Sequence, residues 1–216
     1  MKYRLAIFDM DGTILDTLTD IADSTNATLE ALGLPTRSLD EVRQFVGNGI
    51  RLLIERAVAP VCEEAAIEEA YRIFRAHYAE HCADKTAPYE GIPELLADLR
   101  AAGCHTAVLS NKADEPVKAL AEQYFPGAFE LALGQREGVP TKPAPDGVLD
   151  VLKAFGVPPE QAVYIGDSEV DVQTAINAGI DGLFVSFGFR SEETLRAAGA
   201  TCVLPSVAEL KKALLQ

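Results

Sequence analysis

No apolar stretch in this 216-residue sequence is longer than a buried strand requires, and the first, after Met1, is already interrupted by Asp9. A membrane span of about 20 apolar residues and a secretory signal are both missing, so a cytoplasmic protein with no membrane partner is expected. Cysteine is sparse: Cys62, Cys82, Cys104 and Cys202 are scattered without a C-x-x-C pair. That pattern suits reduced, buried thiols better than a disulfide frame or a structural zinc site. Positive charge is in deficit, 19 Lys and Arg against 33 Asp and Glu, a formal net charge of −14. Nonspecific nucleic-acid binding, which rests on Lys and Arg neutralising phosphates, is therefore not expected. If the ligand is a phosphate, its site must supply positive charge locally. The histidines His77, His81 and His105 show no metal-ligand spacing and are assigned no role.

What is present, 48% hydrophobic and 24% charged residues, suffices for one substantial core and a smaller appended unit. Residues 4 to 8 form a short apolar run that stops at Asp9-Met10-Asp11-Gly12, where Gly12 can take positive φ. From about 18 to 82 the pattern is helical. Leu18, Ile21, Ala22, Leu29 and Leu32 recur at three-to-four spacing, as do Ile67, Ala70, Tyr71, Phe74 and Tyr78. Ser38 and Glu41 make a capping box for a short helix between them, and Gly47-Asn48-Gly49 breaks the chain before Ile50.

After Pro88-Tyr89-Glu90-Gly91 strands alternate with helices. The expected strands are Thr106 to Leu109, Phe129 to Leu133, Ala162 to Ile165, Gly182 to Ser186 and Thr201 to Leu204. Helices are expected from Ile92, behind Pro116, behind Pro145 up to Gly156, up to Gly179, from Ser191, and from a Ser206 and Glu209 capping box. This alternation implies an α/β core with a parallel sheet, right-handed crossovers and helices on both faces. The first strand belongs to that sheet, so the helical segment is an insertion: residues 1–15 and 83–216 form the core and 16–82 the inserted unit.

Ligands of such sheets gather at the carboxyl ends of the strands. The residues there are Asp9 and Asp11, Ser110 and Asn111, and Asp167 with Asp171, while Lys142 lies in a loop that can reach the same edge. Carboxylates, a hydroxyl, an amide and a lysine converging on one edge suit a phosphoryl group held with a divalent cation, and hard oxygen ligands select magnesium. Nothing in the sequence separates Lys112 from ordinary surface charge.

Asp9-Met10-Asp11-Gly12-Thr13, Ser110-Asn111, Lys142-Pro143 and Gly166-Asp167-Ser168-Glu169-Val170-Asp171 resemble, in order, the four motifs of the haloacid dehalogenase superfamily. The resemblance spans nearly the whole chain, and the insertion after Thr13 is similar to that family's small helical cap. It implies a Rossmann-like doubly wound parallel sheet with an inserted cap domain. It also implies Asp9 as a nucleophile that forms an aspartyl phosphate, and Asp11 as the acid and then the base. Thr13, Ser110 and Asn111 would bind the phosphoryl oxygens, and Lys142 would neutralise charge. Asp9, Asp167 and the Asp11 backbone carbonyl would hold Mg2+, with Asp171 orienting that shell or Lys142.

Asp11 argues against dehalogenation, which has no leaving alcohol to protonate, and the absence of lysine from residues 16 to 82 argues against Schiff-base phosphonate cleavage. A magnesium-dependent phosphomonoester hydrolase of a small phosphorylated metabolite is expected. A phosphomutase and a noncatalytic phosphometabolite-binding protein are the alternatives. Gly47-Asn48-Gly49 with Lys142-Pro143-Ala144-Pro145 most resembles phosphoglycolate phosphatases, with Asn48 and Arg51 as candidate specificity residues.

Overall fold

The computed structural model describes residues 2–61 and 63–216, so Cys62 lies outside the described residues. The chain divides into two compact units, one of residues 1–15 with 88–216 and one of residues 16–87.

The larger unit is built on a six-stranded sheet. Its strands are β1 (Leu5–Phe8), β4 (His105–Ala113), β5 (Leu131–Gln135), β6 (Ala162–Gly166), β7 (Asp181–Val185) and β8 (Val203–Leu204). Their order is β5-β4-β1-β6-β7-β8, and every pairing is parallel. A parallel strand covered on both faces reads as a continuous apolar run rather than an alternation. Accordingly all of β1 and all of β6 are buried.

The helices of this unit are α5 (Ile92–Ala101), α6 (Asp114–Tyr124), α7 (Asp146–Phe155), α8 (Glu169–Ala178), α9 (Glu192–Ala197) and α10 (Val207–Leu215). Val148, Val151 and Leu152 of α7, Val172 of α8 and Leu195 of α9 pack with Leu5, Ile7, Leu109 and Tyr164 in one apolar cluster. Ala6, Phe8, Val108, Val163 and Ile165, alternating with those strand positions, are buried as well. Each fully buried aliphatic side chain contributes about 1.5–3 kcal/mol. The sheet is doubly wound, with β4 and β5 laid down to one side of β1 and β6 to β8 to the other. The chain therefore reverses between β1 and β6, the crevice where such sheets bind ligands.

Several element ends differ from the sequence reading. Strand β4 runs on to Ala113, and Ser110 and Asn111 lie inside it, with an irregular register between Leu109 and Ala113. Helix α6 starts at Asp114, two residues before Pro116. Proline is tolerated there because the first N–H groups of a helix have no intrahelical partner. Strand β5 starts at Leu131 rather than Phe129, whose ring instead packs edge-on against Phe8 and Phe125. Ser206 caps α10 by accepting from the Glu209 N–H, but no return bond from the Glu209 side chain completes the box.

The smaller unit holds α1 (Leu18–Ala31), α2 (Leu39–Phe45), α3 (Ile50–Val58) and α4 (Glu64–His81). Helix α2 opens on the expected Ser38 and Glu41 capping box. Leu18, Ile21, Ala22 and Leu29 of α1 are buried, as are Ile67, Ala70, Phe74 and Tyr78 of α4. The Phe74 and Tyr78 rings stack at 5.4 Å. This unit extends past residue 82 because the buried Asp20 carboxylate accepts from the N–H groups of Lys85 and Thr86 and from the Thr86 hydroxyl. Two-residue strands β2 (Leu15–Asp16) and β3 (Ala87–Pro88) pair where the chain passes from one unit to the other.

Among the described cysteines only Cys104 is buried, and burial pushes its thiol up to about 11; Cys82 and Cys202 are half-buried. All three are free. No helix of the described residues is long and apolar enough to cross a membrane.

Candidate active site

Asp9 follows β1 and Asp167 follows β6, the two strands that flank the reversal of the sheet. Asp171 sits in the first turn of α8, and Lys142 precedes α7. One carboxylate oxygen from each of Asp9, Asp167 and Asp171 lies within 4.8 Å of the others, and all three residues are buried. Lys142 Nζ is 2.9 Å from Asp9 Oδ1 and 2.8 Å from Asp171 Oδ1, and it donates to the Tyr164 hydroxyl at 2.9 Å.

Asp171 is not a helix-surface carboxylate. It is fully buried, its Oδ1 takes Lys142, and its Oδ2 accepts from the Ser168 hydroxyl at 2.6 Å and the Ser168 N–H at 3.1 Å. Ser168 and Asp171 thereby make a capping box that opens α8 and at the same time aims a carboxylate at the lysine. Asn111 fixes the other side of Lys142 by gripping its backbone: Asn111 Nδ2 donates to the Lys142 carbonyl at 3.0 Å, and the Lys142 N–H donates to Asn111 Oδ1 at 2.8 Å.

Asp167 is clamped between two turns. Thr13 donates its hydroxyl to Asp167 Oδ1 at 3.0 Å, and the Phe189 N–H donates to Oδ2 at 2.7 Å. The resemblance implied that Thr13 binds a phosphoryl oxygen; here its proton is directed to a carboxylate instead. Gly12 has φ +82°, and a Cβ there would sit 2.2 Å from Asp167 Oδ2. A Cβ on Gly188 would sit 2.6 Å from the same atom and 2.1 Å from the Gly12 carbonyl oxygen. Only residues without side chains allow both turns to approach the carboxylate this closely.

Burial dominates the titration of this cluster. It pushes Asp9 up to about 7, reinforced by Asp171 and opposed by Lys142. Asp167 is raised well above the ordinary carboxylate range by burial and then by Asp171 and Asp9. Burial alone would lower Lys142, but Asp171 and Asp9 overcome it and hold the ammonium charged. The short Lys142–Asp9 contact and the raised Asp9 pKa point in opposite directions for that carboxyl. They are reconciled because three carboxylates are buried together and the one ammonium among them pairs with only Asp9 and Asp171, so the cluster retains a proton or takes a cation. Three hard oxygen donors with surplus negative charge fit magnesium.

Two residues of the site were not singled out by sequence. Lys112 is buried rather than a surface charge, and its Nζ lies 2.9 and 3.1 Å from the two carboxylate oxygens of Asp11. Tyr164, fully buried in β6, ties Lys142, Asp171 and the Leu109 carbonyl together. Its position two residues before Gly166-Asp167 was the available signal for Tyr164; Lys112 offered only its adjacency to Asn111. Ser110 Oγ accepts from the Lys112 N–H at 3.2 Å.

Asn48 and Arg51 belong to the smaller unit. Asn48 precedes Gly49, the residue that opens α3, and Arg51 pairs with Glu55, Glu64 and Glu68. His77 and His81 are one turn apart on α4, with ring centroids at 4.3 Å, so the sequence did carry a helical His spacing. Each has a partner of its own, Ser24 for His77 and Asp84 for His81.

A profile of the haloacid dehalogenase-like hydrolases matches residues 6–185. The phosphoglycolate phosphatase of Aquifex aeolicus is 35% identical over 187 residues, covering 86% of each chain. That of Psychrobacter arcticus is 35% identical over 213 residues, covering 93% of this chain and 91% of its own. The crystal structure of a candidate phosphoglycolate phosphatase from Lactobacillus delbrueckii subsp. bulgaricus superposes with a TM-score of 0.94 at 36% identity, covering 99% of both chains.

Proposed function

The chain belongs to the haloacid dehalogenase-like hydrolases, and on that footing we propose that it is a magnesium-dependent phosphatase of phosphoglycolate that works through an aspartyl phosphate. The observation that carries the reading is the buried cluster of Asp9, Asp167 and Asp171 around Lys142 at the reversal of the sheet. The names of the relatives support the substrate.

Asp9, Asp167 and the Asp11 backbone carbonyl would hold Mg2+. When bound, the ion neutralises carboxylate and phosphoryl charge and orients the ester for in-line displacement. The Asp9 carboxylate oxygen attacks phosphorus and the ester P–O bond breaks, while the leaving oxygen takes its proton from the Asp11 carboxyl. Water then gives a proton to Asp11 as its oxygen bonds to phosphorus, the P–O bond to Asp9 breaks, and inorganic phosphate leaves. Lys142 offsets the charge that builds on the transferring group. Ser110 and the Asn111 N–H would hold the phosphoryl oxygens, and Thr13 acts through Asp167. The helical unit, as a cap, would read the second anionic group of the substrate through Asn48 and Arg51. Cysteines scattered without a C-x-x-C pair support a reducing compartment such as the cytoplasm.

The test is hydrolysis of a panel of phosphomonoesters by the purified protein, with magnesium and with excess chelator. Phosphoglycolate should give the highest kcat/KM, chelator should abolish turnover, and calcium should not restore it. Asp9→Asn should remain folded and turn over nothing. Full turnover in chelator would refute the metal assignment, and a better substrate than phosphoglycolate would replace the proposed one.

A further inference from the structure

At the strand ends that carry the site, Lys112 is a buried charged side chain that the chemistry above does not use. Its side chain is 4% exposed and that of Asp11 14%, and the ammonium reaches both oxygens of one carboxylate. In a regular strand, side chains alternate between faces, so Ser110, Asn111 and Lys112 could not all serve one site. The irregular register between Leu109 and Ala113 relaxes that alternation, as bulges beside active sites do when they re-aim a side chain. All three residues are buried at the same strand end.

We propose that Lys112 is a positioning residue for Asp11, holding the carboxyl in the orientation from which it exchanges protons with the leaving oxygen and with water. This rests on the phosphatase reading above. A partner that binds both oxygens removes the side chain's freedom to swing, and Lys112 is itself enclosed. A carboxylate offers about four lone-pair directions. Lys112 occupies two, which leaves sites for the proton that passes to the ester oxygen and returns from the attacking water. The ion pair is therefore compatible with turnover and fixes its geometry.

The experiment compares the wild type, Lys112→Met, Lys112→Gln, Asp11→Asn and the double variant Asp11→Asn/Lys112→Met, each with its thermal midpoint. The substrates are the best alkyl phosphate of the panel and p-nitrophenyl phosphate, whose leaving group needs little protonation. Loss of general acid catalysis is worth about 10²–10⁴-fold, so kcat of Lys112→Met should fall at least about tenfold further on the alkyl ester than on the aryl ester. The double variant should be no slower than Asp11→Asn by more than about threefold, because both changes remove one function. Equal losses on the two esters, additive losses in the double variant, or a rise in kcat would overturn the proposal. Failure of both Lys112→Met and Lys112→Gln to fold would make the pair structural and overturn it as well. A wild type inactive on every ester would end the underlying reading instead, which separates the two failures.

Discussion

The Nζ of Lys142 lies 2.9 Å from Oδ1 of Asp9, and the same ammonium is shared with Asp171 and Tyr164. The side chain placed to neutralise the nucleophile is thus also the hub of a buried polar network.

Lys142→Met is therefore expected to damage folding as well as turnover. Removing one partner of a buried ion pair costs about 3–5 kcal/mol, and the variant leaves both Asp9 and Asp171 without their cation. In a chain of this size that lowers the thermal midpoint by about 6–20 °C. Turnover should fall about 10²–10³-fold, the usual effect of deleting a charge-stabilising donor. Melting curves and kcat on the same preparation check both. A lowered midpoint with near-normal kcat would restrict Lys142 to a structural role.

Stability without a divalent cation should fall as pH rises. Asp9 titrates near 7 in the folded protein, against about 3.9 for an unperturbed Asp. Between those values the folded chain binds more protons than the unfolded one. The stabilisation is complete below the unfolded pKa and is lost as pH rises through the folded one, on the order of a few kcal/mol. Asp167 is raised in the same direction. Thermal midpoints in chelator should therefore decline from about pH 5 to pH 7.5, and millimolar Mg2+ should remove most of the decline by taking the place of the proton. A flat profile in chelator would mean that the carboxylates hold no extra proton.

Gly188→Ala should weaken magnesium binding. The added Cβ would lie 2.6 Å from Asp167 Oδ2 and 2.1 Å from the Gly12 carbonyl oxygen, so the carboxylate or the turn must move. Changes beside a metal ligand typically cost about 10–100-fold in affinity. Calorimetric titration with Mg2+ measures this without reference to turnover. Unchanged affinity would show that the 186–190 segment moves aside at no cost to Asp167.

Asn48→Ala should lower kcat/KM for phosphoglycolate about tenfold more than for p-nitrophenyl phosphate, since only the former carries a carboxylate to recognise. Arg51→Ala should have the smaller selective effect, because its guanidinium is already shared among Glu55, Glu64 and Glu68. Steady-state kinetics on both esters decides. Equal losses would take Asn48 out of substrate recognition.

Elements whose limits are written in adjacent residues were legible in the sequence. The Ser38 and Glu41 box opens α2, and Gly156 and Gly179 close α7 and α8 in the left-handed conformation. The apolar runs of β1 and β6 also ended where they should, at Asp9 and near Asp167. Less was legible where the end of an element depends on a neighbour. Strand β4 continues through Lys112 because Asn111 and Lys112 find partners in the Lys142 loop and in Asp11, and Phe129 is withdrawn from β5 by the Phe8 and Phe125 rings.

The chain by itself determined which side chains stand at the carboxyl ends of its strands, because hydrophobic period and turn residues are local properties. It also determined the parallel winding, since alternating strands and helices leave few other connections. Tertiary structure alone decided how those side chains pair. Lys112 meets Asp11 across 101 residues and Thr13 meets Asp167 across 154. Nothing near Lys112 in sequence distinguishes it from a solvated lysine, and nothing near Thr13 shows that its proton goes to a carboxylate. Such pairings exist only once the sheet has brought β1, β4 and β6 side by side, where low polarity makes an unpaired charge costly and each buried carboxylate takes the nearest donor.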